Sequence, residues 1–370
     1  MILFCSGGAY MDGDNANFDA YLFGGVTDSN GDIYVAGASQ RITNTDIQSV
    51  AYGSPASGFL STPPSGVGTG VSGVSGNGVD WLIMKIKKDG SKVLTYTFFG
   101  LNSTSIVMEQ AHCIAISPNG GSVFVGGICN SGGGIRSLPA LSAGYTANTA
   151  FGGVTLSVAS SNIPTIAVFT PDLASLKYRT FIGDGTIKGD VCSIEALNDN
   201  DYVLASYVNN DLGNGAGSVS YVTNGPDNTF SGNNDIYIAK FTSLTTLSWG
   251  TYVGGDGSDK VFDMRLLSNN DIVFCGSATS TNSSMTTLSN EVASTANRNN
   301  NTTTSDALVG VLKSNGSAFN FLSKVGGSGN DEFDGLQVGP CDTLFLTGTT
   351  ASTNFPNIGS GVLQTSNAGG

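Results

Sequence analysis

A six-residue phrase recurs along this chain, and that repetition limits the fold more than any other feature. Asp235-Ile-Tyr-Ile-Ala-Lys240 returns as Asp306-Ala-Leu-Val-Gly-Val311 and, earlier, as Asp80-Trp-Leu-Ile-Met-Lys85. A degenerate copy reads Pro164-Thr-Ile-Ala-Val-Phe169. Each phrase leads through a polar turn into a second, aromatic-rich strand: Leu94 to Phe99, Leu176 to Ile182, Leu247 to Val253 and Phe319 to Val325. That strand runs into a glycine turn. Gly254-Gly-Asp-Gly-Ser-Asp259 and Gly326-Gly-Ser-Gly-Asn-Asp331 are one turn written twice, 72 residues apart.

Two further strands complete the unit. One includes Cys113 to Ile116, Val191 to Ile194 and Phe262 to Leu266. The other includes Asp32 to Gly37, Val123 to Gly126, Tyr202 to Ala205, Asp271 to Gly276 and Thr343 to Gly348. Tight turns such as Asp28-Ser-Asn-Gly31 and Ser117-Pro-Asn-Gly120 join them, and Asn-Gly between alternating apolar residues is a hairpin signal. We name the strands a (the Cys113 type), b (Asp32), c (Asp235) and d (Leu247). Four short strands repeating every ~70 residues predict the blades of a β-propeller, because a shorter solenoid unit would not hold them.

One all-β propeller of about five four-stranded antiparallel blades is therefore expected over residues 1–370. Residues 1–8 supply a strand d, and blade units follow at about 9–100, 101–183, 184–254 and 255–326. A partial blade occupies 327–370. Ile2 to Cys5 match strand d, so the N-terminus is expected to close the ring with the C-terminal blade. Strand c of that blade would start just after Gly370, which points to a fragment or to a strand donated by a neighbour.

The units resemble the bacterial SBBP-type β-propeller repeats, which read roughly Asp-Ala-Phe-Val-Ala-Lys, Tyr-Leu-Gly-Gly-x-Gly-x-Asp and Gly-Asn-Val-Tyr-Val-Thr-Gly. Asp235 to Lys240, Tyr252 to Asp259, Val325 to Asp331 and Asp32 to Gly37 carry the likeness, as does Thr347 to Pro356. The resemblance implies a propeller in a secreted or cell-surface bacterial protein, and it brings no catalytic residues. The family name implies seven blades, where this sequence offers about five units.

Composition agrees with strands. With 52 glycines and four Glu (Glu109, Glu195, Glu291, Glu332) the chain cannot sustain long amphipathic helices. A net charge of −13 argues against nucleic acid, which demands a basic stripe. No apolar run is long enough for a membrane span, and the opening residues are too short for a signal-peptide core. Any export signal is expected to lie outside the sequence or to have been removed. The cysteines (Cys5, Cys113, Cys129, Cys192, Cys275, Cys341) lack zinc spacing and read mainly as small buried hydrophobes. Cys113 and Cys192 are the best candidates for a pair.

Sites are sparser. The d–a turns gather acids: Asp12 and Asp14, Asp184, Asp256 and Asp259, Asp331 and Asp334. Two readings stand: each Asp hydrogen-bonds its own turn, or Asp12, Asp14, Asp256, Asp259, Asp331 and Asp334 help hold calcium. No cofactor is required. His112, the single histidine, adjoins Cys113, and strand neighbours point to opposite faces, so it reads as packed or surface-exposed. Trp81 and Trp249 sit in apolar strands and read as core. The b–c inserts (38–79, 130–163, 209–234, 280–305 and 349–370) are long and polar, and are expected to form a rim on one face. The expectation is a non-enzymatic surface scaffold or adhesion protein binding glycan, matrix or protein through these inserts. The alternatives are a filament or sheath subunit that self-assembles, and a carbohydrate-active hydrolase with an Asp-based site.

Overall fold

The structure is a computed structural model. It describes residues 9–10, 19–40, 56–57, 79–101, 109–130, 136–145, 155–156, 162–183, 187–215, 219–281, 283–285 and 302–356. The expected closing strand at Ile2 to Cys5 therefore lies outside the described residues, as do Asp12, Asp14 and Asp184. The chain falls into two compact units, Met1–Val203 with Thr242–Thr246, and Leu204–Phe241 with Leu247–Gly370.

In the first unit, one sheet pairs Asp19–Thr27, Ile33–Gln40, Val79–Ile86 and Val93–Phe99 as a-b-c-d, all antiparallel. The next pairs Gln110–Ile116, Val123–Cys129, Ile163–Phe169 and Leu176–Phe181 in the same order. Every residue of Val123–Cys129 and Ile163–Phe169 is buried. Those middle strands are covered on both faces, which is why their sequence is nearly continuous in apolar residues. Strand a alternates buried with half-buried instead, as Gln110–Ile116 does. Between the two sheets Trp81, Phe99, Val125, Ile163 and Phe169 form one core, with the Trp81 and Phe99 rings 5.0 Å apart.

The third sheet runs Gly189–Ala196, Tyr202–Val208, Asp235–Thr242 and Thr246–Val253, and the division between the units passes through it. The second unit continues with Asp259–Leu266, Ile272–Ala278, Asp306–Leu312 and Phe319–Val325, again a-b-c-d. A two-stranded sheet of Asp331–Val338 and Leu344–Thr350 follows, the expected final a and b. These are propeller blades: an all-β chain of four-stranded antiparallel sheets, each strand pairing with its sequence neighbour.

Two expectations change. Cys129 pairs with Ile163 just as Ala278 pairs with Asp306, each partner lying two residues beyond a strand-b glycine, Gly127 or Gly276. The degenerate phrase thus begins at Ile163, one residue before Pro164. Segments of three b–c inserts also lie along the outer strand d of their own sheet. Ala56–Ser57 pairs in parallel with Thr95 and Tyr96. Ser142 exchanges hydrogen bonds with Leu176, and Arg179 Nε donates to the Pro139 carbonyl. Thr223 exchanges backbone bonds with Gly250, and Thr251 Oγ1 donates to the Asp227 carbonyl at 2.9 Å. Unpaired backbone on strand d would invite foreign strands, so the inserts guard that edge.

Candidate functional site

The repeat brings the first residue of strand c against the first residue of the next strand a. One backbone bond marks each such junction. An N–H at the start of strand a donates to the carbonyl just before the repeated six-residue phrase of strand c: Glu109 to Val79, Gly189 to Asn162, Asp259 to Asn234 and Asp331 to Ser305. Three of these four junctions bury two carboxylates: Asp80 with Glu109, Asp235 with Asp259, and Asp306 with Asp331, each residue at most 1% exposed. The junction of Ile163 with Gly189 holds none.

The turn glycine after strand d explains the close approach. A Cβ on Gly100 would stand 2.0 Å from Glu109 Oε2 and 2.7 Å from Asp80 Oδ1. On Gly326 it would meet Asp306 Oδ1 at 2.2 Å and Asp331 Oδ2 at 2.9 Å. The acid of strand a then takes a turn N–H: Leu101 to Glu109 at 2.9 Å, Gly255 to Asp259 at 3.0 Å, and Gly327 to Asp331 at 2.8 Å. A serine beyond strand b donates as well, Ser280 Oγ to Asp259 and Ser352 Oγ to Asp331.

Charge compensation differs among the three. Burial, then the neighbouring Asp80 carboxylate, raises Glu109 well above the usual carboxylate range, opposed by the N–H groups of Leu101 and Asn130. Burial likewise pushes Asp235 up to about 8, with Asp259 and Asp227 adding to it and the Ser231 N–H opposing. Asp235 Oδ1 is buried without a hydrogen-bond partner. Burial lifts Asp259 to about 6, held there by the Ser280 hydroxyl and backbone, the Gly255 N–H and the Lys324 charge. The last junction contains a cation: Lys324 Nζ lies 3.2 Å from Asp306 Oδ2, with both side chains fully buried.

The acids singled out in the sequence separate here. Asp259 and Asp331 are the buried strand starts just described. Asp256 accepts the Thr281 N–H at 2.7 Å and the hydroxyls of Thr281 and Ser284, bonds that hold its carboxyl below the usual range. Asp334 is exposed, and its carboxyl is raised by partial burial and then by Glu332. Among the described residues no group of three or more His, Cys, Asp or Glu is arranged to hold a metal ion. N–H donors aimed at Asp256, Asp259 and Asp331 occupy lone pairs that calcium would need.

Sequence reasoning passed over a second cluster. His112 Nδ1 lies 2.5 Å from Asp190 Oδ2, and Nε2 lies 3.2 Å from Gln110 Oε1. The Phe23 ring, 45% exposed, meets the imidazole edge-on at 5.1 Å. Both ring nitrogens thus face protein groups, and the exposed Phe23 ring packs against the imidazole. His112 and Asp190 are 78 residues apart, and only the matching of strand a in adjacent units could have paired them. Cys113 and Cys192 do not pair: both are free thiols. Cys113 faces Val191, donating to its carbonyl at 3.4 Å, while strand alternation turns Cys192 the other way. Cys129 and Cys275 are buried free thiols too, and Cys341 is exposed. Both tryptophans are buried, with Trp81 Nε1 donating to the Ile128 carbonyl at 2.8 Å.

The strand order and register define the class, a protein of β-propeller blades. No family model and no curated protein matches the chain. Among solved structures it is similar to a protein of unknown function from Dyadobacter fermentans DSM 18053, at 10% identity and TM-score 0.45, over 92% of this chain and 78% of that one. It is also similar to the β-propeller domain of the Trilobed protease from Pyrococcus furiosus, at 8% identity and TM-score 0.25, over 90% of each chain. At such values the fold assignment rests on this chain's own strand pairing. No helix among the described residues is long and apolar enough to cross a membrane.

Proposed function

We propose that this chain is a non-enzymatic bacterial scaffold or adhesion protein of the SBBP repeat type, working outside the cell or on its surface. Its b–c inserts would contact glycan, matrix or protein. One observation carries the reading: three inserts are anchored along the outer strand of a blade, so polar segments are presented from rigid supports. The insert at 209–234 illustrates this. Tyr252 Oη takes the Leu212 N–H at 2.7 Å and Tyr237 Oη donates to the Tyr221 carbonyl, while Asn224, Asn228 and Thr229 are exposed. The buried acids do not favour turnover of an external substrate, because each is at most 1% exposed. Calcium has no required part in this reading.

The test is binding of the chain to glycan arrays and immobilised matrix proteins, beside a variant with residues 222–230 replaced by a short Gly-Ser linker. Binding by the parent that falls at least tenfold in the variant supports the insert as the contact. Equal binding by both removes the insert from the reading, and turnover of a polysaccharide by the parent replaces it with the hydrolase. The filament alternative rests on a different feature. Strand b is wholly buried in Ile272–Ala278 but largely open in Leu344–Thr350, where Phe345 is 58% exposed. Light scattering that shows ordered growth with concentration would favour assembly along that edge.

A further inference from the structure

A fully buried lysine is the least expected residue in these sheets. Lys324 stands opposite Leu308, the third position of strand c, where the two sheets of the first unit place Phe98 opposite Leu82 and Phe181 opposite Thr165. Tyr252, just before Val253 and Gly254, fills the same place in its repeat. An aromatic ring suits that site, whereas a lone ammonium there bears a heavy desolvation penalty. Lys324 Nζ donates to the Ser280 carbonyl at 2.8 Å and lies 3.2 Å from Asp306 Oδ2. A Cβ on Gly326 would meet both Asp306 Oδ1 and Asp331 Oδ2, so the two carboxyl groups flank one glycine, and Asp331 also accepts the Gly327 N–H and the hydroxyls of Thr350 and Ser352.

We propose that Lys324 and Asp306 join through an amide bond between their side chains, with Asp331 as the general acid–base. In a dry site the ion pair can relax to a neutral amine and a carboxylic acid by passing one proton from Nζ to the Asp306 carboxyl. The amine lone pair then attacks Asp306 Cγ and forms the C–N bond. Asp331 accepts a proton from the nitrogen and returns it to the departing hydroxyl oxygen. The C–O bond breaks and one water leaves, with no change in oxidation state. The product N–H keeps the Ser280 carbonyl as its acceptor. Antiparallel pairing of Asp306–Leu312 with Phe319–Val325 holds the reactants together, which supplies the high effective concentration such a condensation requires. The bond would tie strand c to strand d.

Mass spectrometry of the denatured 370-residue chain decides the matter. The expected mass, allowing for the initiator methionine, is one water below that of the sequence. A proteolytic map should then show Lys324 uncleaved by trypsin and a branched peptide joining it to Asp306. A chain at full sequence mass overturns the proposal. So does a missing water that maps to a linear peptide with normal cleavage after Lys324. Lys324→Arg should return to its full sequence mass whether or not it folds. Asp331→Asn should also return to full mass with an unchanged circular dichroism spectrum, and complete cross-linking in that variant would overturn the role given to Asp331.

Discussion

The junctions at Asp80–Glu109 and Asp306–Asp331 use the same backbone and balance their charge in different ways. Both pin a strand-a acid with a turn N–H, and both need a glycine between the carboxyl groups. At the first, burial and then the neighbouring Asp80 carboxylate raise Glu109 well above the usual carboxylate range. The second places a lysine ammonium on the acid of strand c. The difference teaches that the repeat keeps a geometry, two acids under a glycine, while a proton at one junction and the Lys324 nitrogen, as ammonium or as amide, at the other offsets the buried charge. The Ile163–Gly189 junction adds that the backbone bond forms with no carboxyl at all.

Substitutions can break that comparison at each point. The largest effect belongs to Gly100→Ala, whose new methyl would overlap the Glu109 carboxyl. A loss of about 3 kcal/mol or more is expected in urea unfolding. Gly90→Ala, where no atom lies within 4 Å of the new Cβ and φ is +71°, should lose only ~1–2 kcal/mol. Next comes Lys324→Met, which leaves the buried Asp306 carboxyl without its nitrogen partner, ion-paired or amide-linked, and should lose about 3 kcal/mol. Adding Asp306→Asn should restore most of that loss. If the single and double variants unfold together, Lys324 is not what balances this junction.

A pH series sharpens the contrast. Asp235 has its carboxyl raised from the ordinary 3.8 to about 8 in the folded chain. A raised value means that the folded state holds the proton more tightly. The stabilisation is therefore complete below about pH 4 and is lost as pH rises through about 8. Asp235→Asn should flatten the wild-type decline across that window, an effect on the order of a few kcal/mol between its ends. The smallest effect is expected from Asp256→Asn. That carboxylate sits among exposed hydroxyls, so thermal unfolding should move by no more than about 1 kcal/mol.

Blade architecture was legible because each unit spells its own hairpins, and strands b and c announce burial through unbroken apolar runs. The Asp beginning strand c was visible as part of the repeated phrase. Its partner was not, because Glu109 belongs to another unit and differs in type from Asp259 and Asp331. Attention to the turn acids found Asp256, Asp259, Asp331 and Asp334, yet only Asp259 and Asp331 enter the buried pairs. Nothing in the sequence marked Lys324; the register shows that it takes the place held by Phe98 and Phe181 in other sheets. The inserts show the same limit. Their polarity marked them as loops, but nothing local in Ala56–Ser57 or Asp227 says that they lie along strand d.

The central claim, that a proton neutralises the pairs lacking lysine, is tested most directly by carbon-13 NMR titration of the side-chain carboxyl groups. At about pH 6 the account predicts that Asp235 still shows a protonated shift while Asp256 is ionised, and that Glu109 titrates above the ordinary carboxylate range. An ionised shift for Asp235 at that pH, with Glu109 titrating in the ordinary range, would contradict it.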